Sequence, residues 1–182
     1  MNLIFRTILH RILSTRRSAL GIRDVGSMSF RVLPTDIDVL RHMNNGVYFS
    51  LMDIGRMDLL IRAGGWQKLS AKGYYPVMAN ETISFRKSLD LWKKYDLETR
   101  VVGYDEKAVF VEQRFVVDGQ IYAQAMTRAR FLKRTGGTVS VAELLETIGW
   151  DSPAPVMPDW VQEWADHVAL PVSRAEAPST WE

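Results

Sequence analysis

The chain has 182 residues, 47% hydrophobic and 24% charged, which is enough for one well-filled core and too little for two. Its formal net charge of +2 is concentrated, because residues 1–23 carry Arg6, Arg11, Arg16, Arg17 and Arg23 and no acid; the remainder is net acidic, which excludes nucleic acid as the domain's partner. Zero cysteines exclude disulfides, thiolate metal sites and a thiol nucleophile and fit a reducing, cytoplasmic setting, while His10, His42 and His167 are too scattered for a metal centre. No cofactor is called for, and the chemistry falls to carboxylate, imidazole, amide and backbone.

Residues 1–26 form a basic amphipathic segment in which Leu3, Ile4, Phe5, Ile8, Leu9, Ile12 and Leu13 recur at helical spacing. Arg6, His10 and Arg11 interrupt the run well short of the ~20 apolar residues that a spanning helix needs, and it lacks the uninterrupted core of a secretory signal. Three readings stay open: a helix packing its apolar side on the domain, an interfacial helix in peripheral contact with a membrane through residues 1–23, or an organellar presequence. On the first, Leu3, Ile4, Ile8 and Ile12 belong to the core; on the second, the segment is dispensable for catalysis.

The domain is expected over residues 27–149. A strand at 28–33 ends at Pro34, a polar loop follows, and Val47, Leu51, Ile54, Met57, Leu59, Leu60 and Ile61 predict a buried helix over 45–63, stopped by Gly64-Gly65. A helical turn at 66–72 precedes strands at 76–89, 95–105, 108–117 and 120–134, the last two joined at Asp118-Gly119, a hairpin signal. In the last strand Ala123, Ala125, Thr127, Ala129 and Phe131 share the face expected to meet the helix, and Gln124, Met126, Arg128 and Arg130 share the other. A short helix at 139–148 closes the domain, and residues 150–182 read as an extended arm bearing Pro153, Pro155, Pro158 and Trp160, with a small helix near 161–168. The order predicts an α+β fold in which an antiparallel sheet wraps one long central helix.

The loop before that helix holds the densest chemistry. Asp36, Asp38, His42, Asn44 and Asn45 alternate with Ile37, Val39, Leu40 and Met43, the composition of a half-buried segment whose polar atoms converge. The start of the helix presents unpaired amides and a partial positive charge. Asn44 or Asn45 can cap it, the Gly46 and Val47 amides can then bind an oxyanion, and Tyr48 sits one turn in. Asp53 and Arg56, three apart, can pair along the helix.

The pattern Asp-x-Asp-x-x-x-His-x-Asn-Asn-x-x-Tyr resembles the hotdog-fold acyl thioesterases of the 4-hydroxybenzoyl-CoA thioesterase type, nearest to the branch of thioesterase superfamily member six. The likeness continues through Asp53-Ile54-Gly55-Arg56, Ile83 to Lys87 and Gly103 to Ala108. It implies a single hotdog domain, a homodimer or higher homo-oligomer, and an acyl-CoA or other acyl thioester as substrate. Asp38 is implied as general base or nucleophile; a helix-capping carboxylate is the alternative. His42 orients it, binds the carbonyl or stays structural. Arg86, Lys87, Arg128 and Arg130 are the candidates for the CoA phosphates, with Lys133 and Arg134 as further basic positions. The relatives in plants carry asparagine where this chain has Leu40, so one polar partner of their mechanism is missing. Hotdog hydratases are disfavoured, since their Asp-x-Asn-Pro-x-His pattern is absent. A non-catalytic acyl-thioester- or lipid-binding protein at a membrane surface is the second functional class.

Overall fold

The structure, a computed structural model, describes residues 3–150, 155–171, 175–179 and 181. The chain runs α1 (Ile4–Ser14), β1 (Gly26–Arg31), α2 (Asn45–Arg62), α3 (Gly65–Ala71), β2 (Tyr74–Phe85), β3 (Lys94–Tyr104), β4 (Val109–Val117), β5 (Gln120–Lys133), β6 (Thr138–Val139), α4 (Val141–Ile148) and α5 (Asp159–His167). Five strands form an antiparallel sheet in the order β1-β3-β4-β5-β2, and β6 lies beside β5. Asp118 (φ 48°) and Gly119 (φ 73°) both turn left-handed between β4 and β5, as a two-residue hairpin of the expected type requires.

The sheet's inner face packs on α2. Leu51, Met52 and Ile54 meet Leu97, Phe115, Ala123 and Ala125 in the main core, so the small-residue face of β5 receives the helix as its parity predicts. Contact is closest at Gly55, where a methyl group would stand 2.7 Å from Thr99 Oγ1 and 2.9 Å from Gln113 Nε2. Gln113 is fully buried there and donates to the Met52 carbonyl and to Thr99 Oγ1, both at 3.0 Å, which satisfies the polar groups trapped under the helix. This is the α+β hotdog arrangement that the resemblance implies.

Two expectations change in detail. Strand β2 stops at Phe85 instead of running to 89, because the Arg86 and Lys87 amides both turn to the Tyr122 carbonyl and the Leu89 carbonyl is taken by the Met43 amide of the polar loop. Helix α4 starts at Val141 instead of 139, because Ser140 caps it by accepting from the Glu143 amide at 3.2 Å.

The C-terminal arm does more than extend. Val161 and Ala165 of α5 are fully buried on Val102, Phe110 and Met126, covering part of the sheet's outer face. Beside them Glu112 is held by Arg100 (2.6 and 2.9 Å), Arg114 (2.7 and 2.8 Å) and Gln124 (2.7 Å). Burial opposes its charge, but the hydrogen bonds from Arg100 and Arg114 prevail and hold the carboxyl below its usual range. Pro153 lies outside the described residues.

Helix α1 contradicts the core-packing expectation. Ile4, Phe5, Ile8, Leu9 and Ile12 are all exposed, Phe5 by 86%, and of its apolar residues only Leu3, at the helix cap, packs against the main core. The helix docks by its polar side: Arg6 reaches Asp36, and Ser14 and Arg17 reach the buried Asp58 at 2.6 and 3.2 Å. A buried carboxylate without its partner is far costlier than an exposed leucine, so the ion pairs decide the orientation.

Candidate active site

The polar loop folds back on itself before α2. The Asn44 amide donates to the Asp36 carbonyl (2.8 Å), the Asp38 amide to the His42 carbonyl (3.1 Å) and the Arg41 amide to the Asp38 carbonyl (3.0 Å). Arg41 closes the turn with φ 64°, a left-handed conformation that a non-glycine residue adopts only under constraint. Asp36 is fully buried and accepts from both Arg6 Nη atoms (3.1 and 2.9 Å) and from the Leu33 amide (2.9 Å). It anchors the loop, and Arg6 of α1 is its counter-ion.

Asp38 is the reachable carboxylate, with its side chain 23% exposed. One oxygen accepts from the Leu40 amide at 2.9 Å and stands 3.9 Å from His42 Nδ1. The same Nδ1 is 3.4 Å from the Met43 carbonyl, so the ring turns that nitrogen toward the loop. His42, Asn45, Tyr48, Phe85, Arg86 and Lys87 line one open pocket of about 230 Å³. Asp38 does not line it and stands beside His42.

The two asparagines divide their tasks. Asn44 is the cap: its side-chain oxygen accepts from the Gly46 amide, and its carbonyl from the Val47 amide, each at 2.9 Å. The expected oxyanion pair, Gly46 and Val47, is therefore committed to Asn44. Asn45 is the first residue of α2, and its own amide has no hydrogen-bond partner among the described residues. Of the first three amides of α2 it is the one left free, and Asn45 also borders the pocket. Tyr48 is buried, edge-on to Phe85 (5.0 Å) and Phe115 (4.7 Å), and burial pushes its hydroxyl up to about 12. It is a wall of the pocket that stays protonated.

The four CoA-phosphate candidates separate. Arg86 and Lys87 are exposed at the pocket, Arg86 donating to the Ile121 carbonyl at 3.0 Å and Lys87 lying over the Tyr122 ring. Arg128 and Arg130 share the opposite face of the sheet from α2 and are not part of this pocket. Arg128 is only 7% exposed, bonded to Asp105 at 3.1 Å and lying over Phe110, next to the patch that α5 covers.

A second polar group lies halfway along α2. Arg56 donates to Gln113 (2.8 Å) and Thr127 (3.2 Å) and pairs with Glu81 (2.7 Å) as well as with the expected Asp53. Burial raises the Glu81 carboxyl above its ordinary value, with the Arg56 charge opposing. The signal for it was parity: Glu81, Gln113 and Thr127 occupy inward positions of β2, β4 and β5 where apolar residues are the rule. Beyond this group an apolar cavity of about 330 Å³ is lined by Met57, Leu60, Met78, Val109, Phe131 and Leu144, among others.

Residues 32–165 match the family model of the Thioesterase-like superfamily. Protein THEM6 of Xenopus laevis is 40% identical over 104 residues, 57% of this chain and 50% of that protein. The chain spans about half the length of that curated relative. The probable thioesterase YbaW from Escherichia coli has the same fold at a TM-score of 0.63 and 21% identity, covering 67% of this chain and 95% of its own. The DHNA-CoA thioesterase from Staphylococcus aureus aligns at a TM-score of 0.60 and 14% identity, over 79% and 90% of the two chains. With a profile match that takes in the polar loop, α2 and the whole hairpin series, the chain belongs to the thioesterase-like superfamily.

Proposed function

We propose that the protein is an acyl-CoA thioesterase, hydrolysing an acyl thioester to the free acid and CoA. The observation that carries this is the pairing of the half-buried Asp38 and His42 beside an open pocket at the capped start of α2, with Arg86 and Lys87 on its rim. Asp38 takes a proton from water, directly or through His42, and the water oxygen attacks the carbonyl carbon. The thioester oxygen gains charge next to the free Asn45 amide and the positive end of α2. The C–S bond then breaks, and the leaving thiolate recovers the proton. Arg86 and Lys87 offer exposed cations for CoA phosphates, and the apolar cavity along α2 favours an acyl group over a polar one. Among the described residues nothing pairs with the outer edge of strand β2, which supports a homodimer through edge pairing.

Steady-state hydrolysis of a panel of acyl-CoA thioesters tests the reading. Asp38→Asn should lose ~10²–10⁴-fold in rate with the fold intact; wild-type turnover in that variant sinks the mechanism. His42→Ala should lower kcat with little change in KM if the ring acts mainly in the transition state. Single-turnover hydrolysis in ¹⁸O-water separates the two roles of Asp38: general-base attack by water puts the label in the released acid, whereas direct attack by the carboxylate, followed by hydrolysis at the Asp38 carbonyl, puts the label in the enzyme and an unlabelled enzyme oxygen in the acid. The second reading, a non-catalytic acyl-thioester- or lipid-binding protein at a membrane surface, draws on the outward apolar side of α1. It predicts binding of acyl-CoA without hydrolysis of any member of the panel.

A further inference from the structure

The apolar stripe of α1 is fixed in place by the groups beneath it. Arg6 binds Asp36 and the Arg31 carbonyl, and Ser14 and Arg17 bind Asp58 beside Arg62 of α2, so rolling the apolar side of the helix inward would strip Asp36 of its counter-ion and leave Asp58 to Arg62 alone. Ile4, Phe5, Ile8, Leu9 and Ile12 therefore project from the domain as a permanent feature, each at least half exposed.

The same end of the molecule carries a second set of exposed apolar groups. Val39 (96%) and Leu40 (70%) form the tip of the candidate catalytic loop, and Leu91 and Trp92 the tip of the turn between β2 and β3. Hydrogen bonds join these segments to α1 in a chain: Arg6 to Asp36 at the loop base and to the Arg31 carbonyl, then Arg31 to the Trp92 carbonyl at 3.2 Å, and the Trp92 amide to Val32. Cations sit among the tips: Arg41, Arg86 and Lys87 are exposed there and Lys93 is half-buried, against Asp38 and Asp90. In the turn after α1, Arg16 and Arg23 have no carboxylate partner among the described residues.

We propose that the outward side of α1 and the two loop tips form one docking surface for an anionic lipid bilayer. A bilayer interface accepts separate protruding apolar side chains interleaved with cations, without needing a matching shape. A folded partner would have to fit one helical ridge and two tips at once, and a second copy would bring the same cations against themselves. Docked this way, the pocket at the start of α2 opens near the lipid interface, where long-chain acyl thioesters partition. That last step rests on the thioesterase reading; lipid binding itself does not.

Flotation of the full chain with phosphatidylcholine vesicles, with and without phosphatidylserine, tests the surface in the absence of any substrate. The protein should float with the phosphatidylserine vesicles and detach as salt rises. Phe5→Gln combined with Ile8→Gln, and separately Trp92→Gln, should each weaken partition, the double variant at least ~tenfold, with circular dichroism melts unchanged. Failure of the unaltered protein to float, or equal flotation of the double variant, overturns the proposal. So does a wild-type oligomer that the double variant splits, since the stripe is then covered by a second copy.

Discussion

Helix α2 turns Leu51, Met52 and Ile54 into the core, whereas helix α1, also amphipathic in sequence, turns Ile4, Phe5 and Ile8 to solvent and Arg6, His10 and Ser14 to the domain. The difference lies in what each helix meets. Helix α2 faces mostly small and apolar side chains of the sheet, and the polar ones there, Gln113 and Thr99, are satisfied by each other and by the Met52 carbonyl, so burial of its own apolar residues is worth ~25 cal/mol per Å². Helix α1 faces Asp36 and Asp58, two carboxylates already enclosed by the domain, and its polar side completes their shells: Arg6 is the counter-ion of Asp36, and Ser14, with Arg17 just beyond the helix, joins Arg62 of α2 on Asp58. Periodicity therefore locates a helix, but the polarity of the receiving surface selects the side that docks.

Breaking α1 at its ion pair should have the largest effect. Arg6→Met leaves Asp36 enclosed without a counter-ion, and loss of ~3–5 kcal/mol is expected in urea unfolding. A value near zero would mean that the helix is held by something other than its polar side. Deletion of residues 1–23 should likewise destabilise the domain, so the segment is no detachable appendage. Next comes Leu51→Ala on the fully buried side of α2, expected to cost ~2–5 kcal/mol in the same measurement.

A smaller, pH-dependent effect belongs to His10. Burial first, then the Arg17 and Arg6 charges, hold its imidazole below the ordinary 6.5, while Asp58 pulls the other way. The unfolded chain thus binds a proton that the folded chain refuses. Stability present above about 6.5 is lost as pH falls toward the lowered folded value. Melting at about pH 7.5 and pH 5.5 should show a loss in the wild type that His10→Gln reduces; identical losses in both would remove His10 from the account. The smallest change is expected from Ile8→Gln on the outward side, within ~0.5 kcal/mol of wild type. A large loss there would show that the stripe is covered in the folded protein.

What the sequence disclosed follows the same division between local and received structure. The span of α2, the Asp118-Gly119 turn and a cap by one of the two asparagines, which is Asn44, were legible because each is written within a few neighbouring residues. The Arg56 group was half legible: Asp53 lies on the same helix, but Glu81, Gln113 and Thr127 come from three strands that only the sheet brings together. Arg128 read as a free cation because Asp105 and Phe110, which engage it, lie some twenty residues away. The Gly46 and Val47 amides, expected to be free, are engaged, since the capping side chain takes the first and the Asn44 carbonyl the second.

Gly55 puts one more demand on any redesign of this protein. Alanine is the best helix former and glycine costs ~1 kcal/mol by comparison, so a propensity-guided design would replace it first. At this position the added methyl meets Thr99 Oγ1 and Gln113 Nε2, so either α2 lifts from the sheet or those side chains move and give up the hydrogen bonds they make under it. A lift would carry Arg56 away from Glu81 and tilt the Asn45 end that borders the pocket, and a displaced Gln113 would release its bond to Arg56. Selection for stability and selection for turnover would then enrich the same residue at position 55, and a deep mutational scan should find glycine there under both.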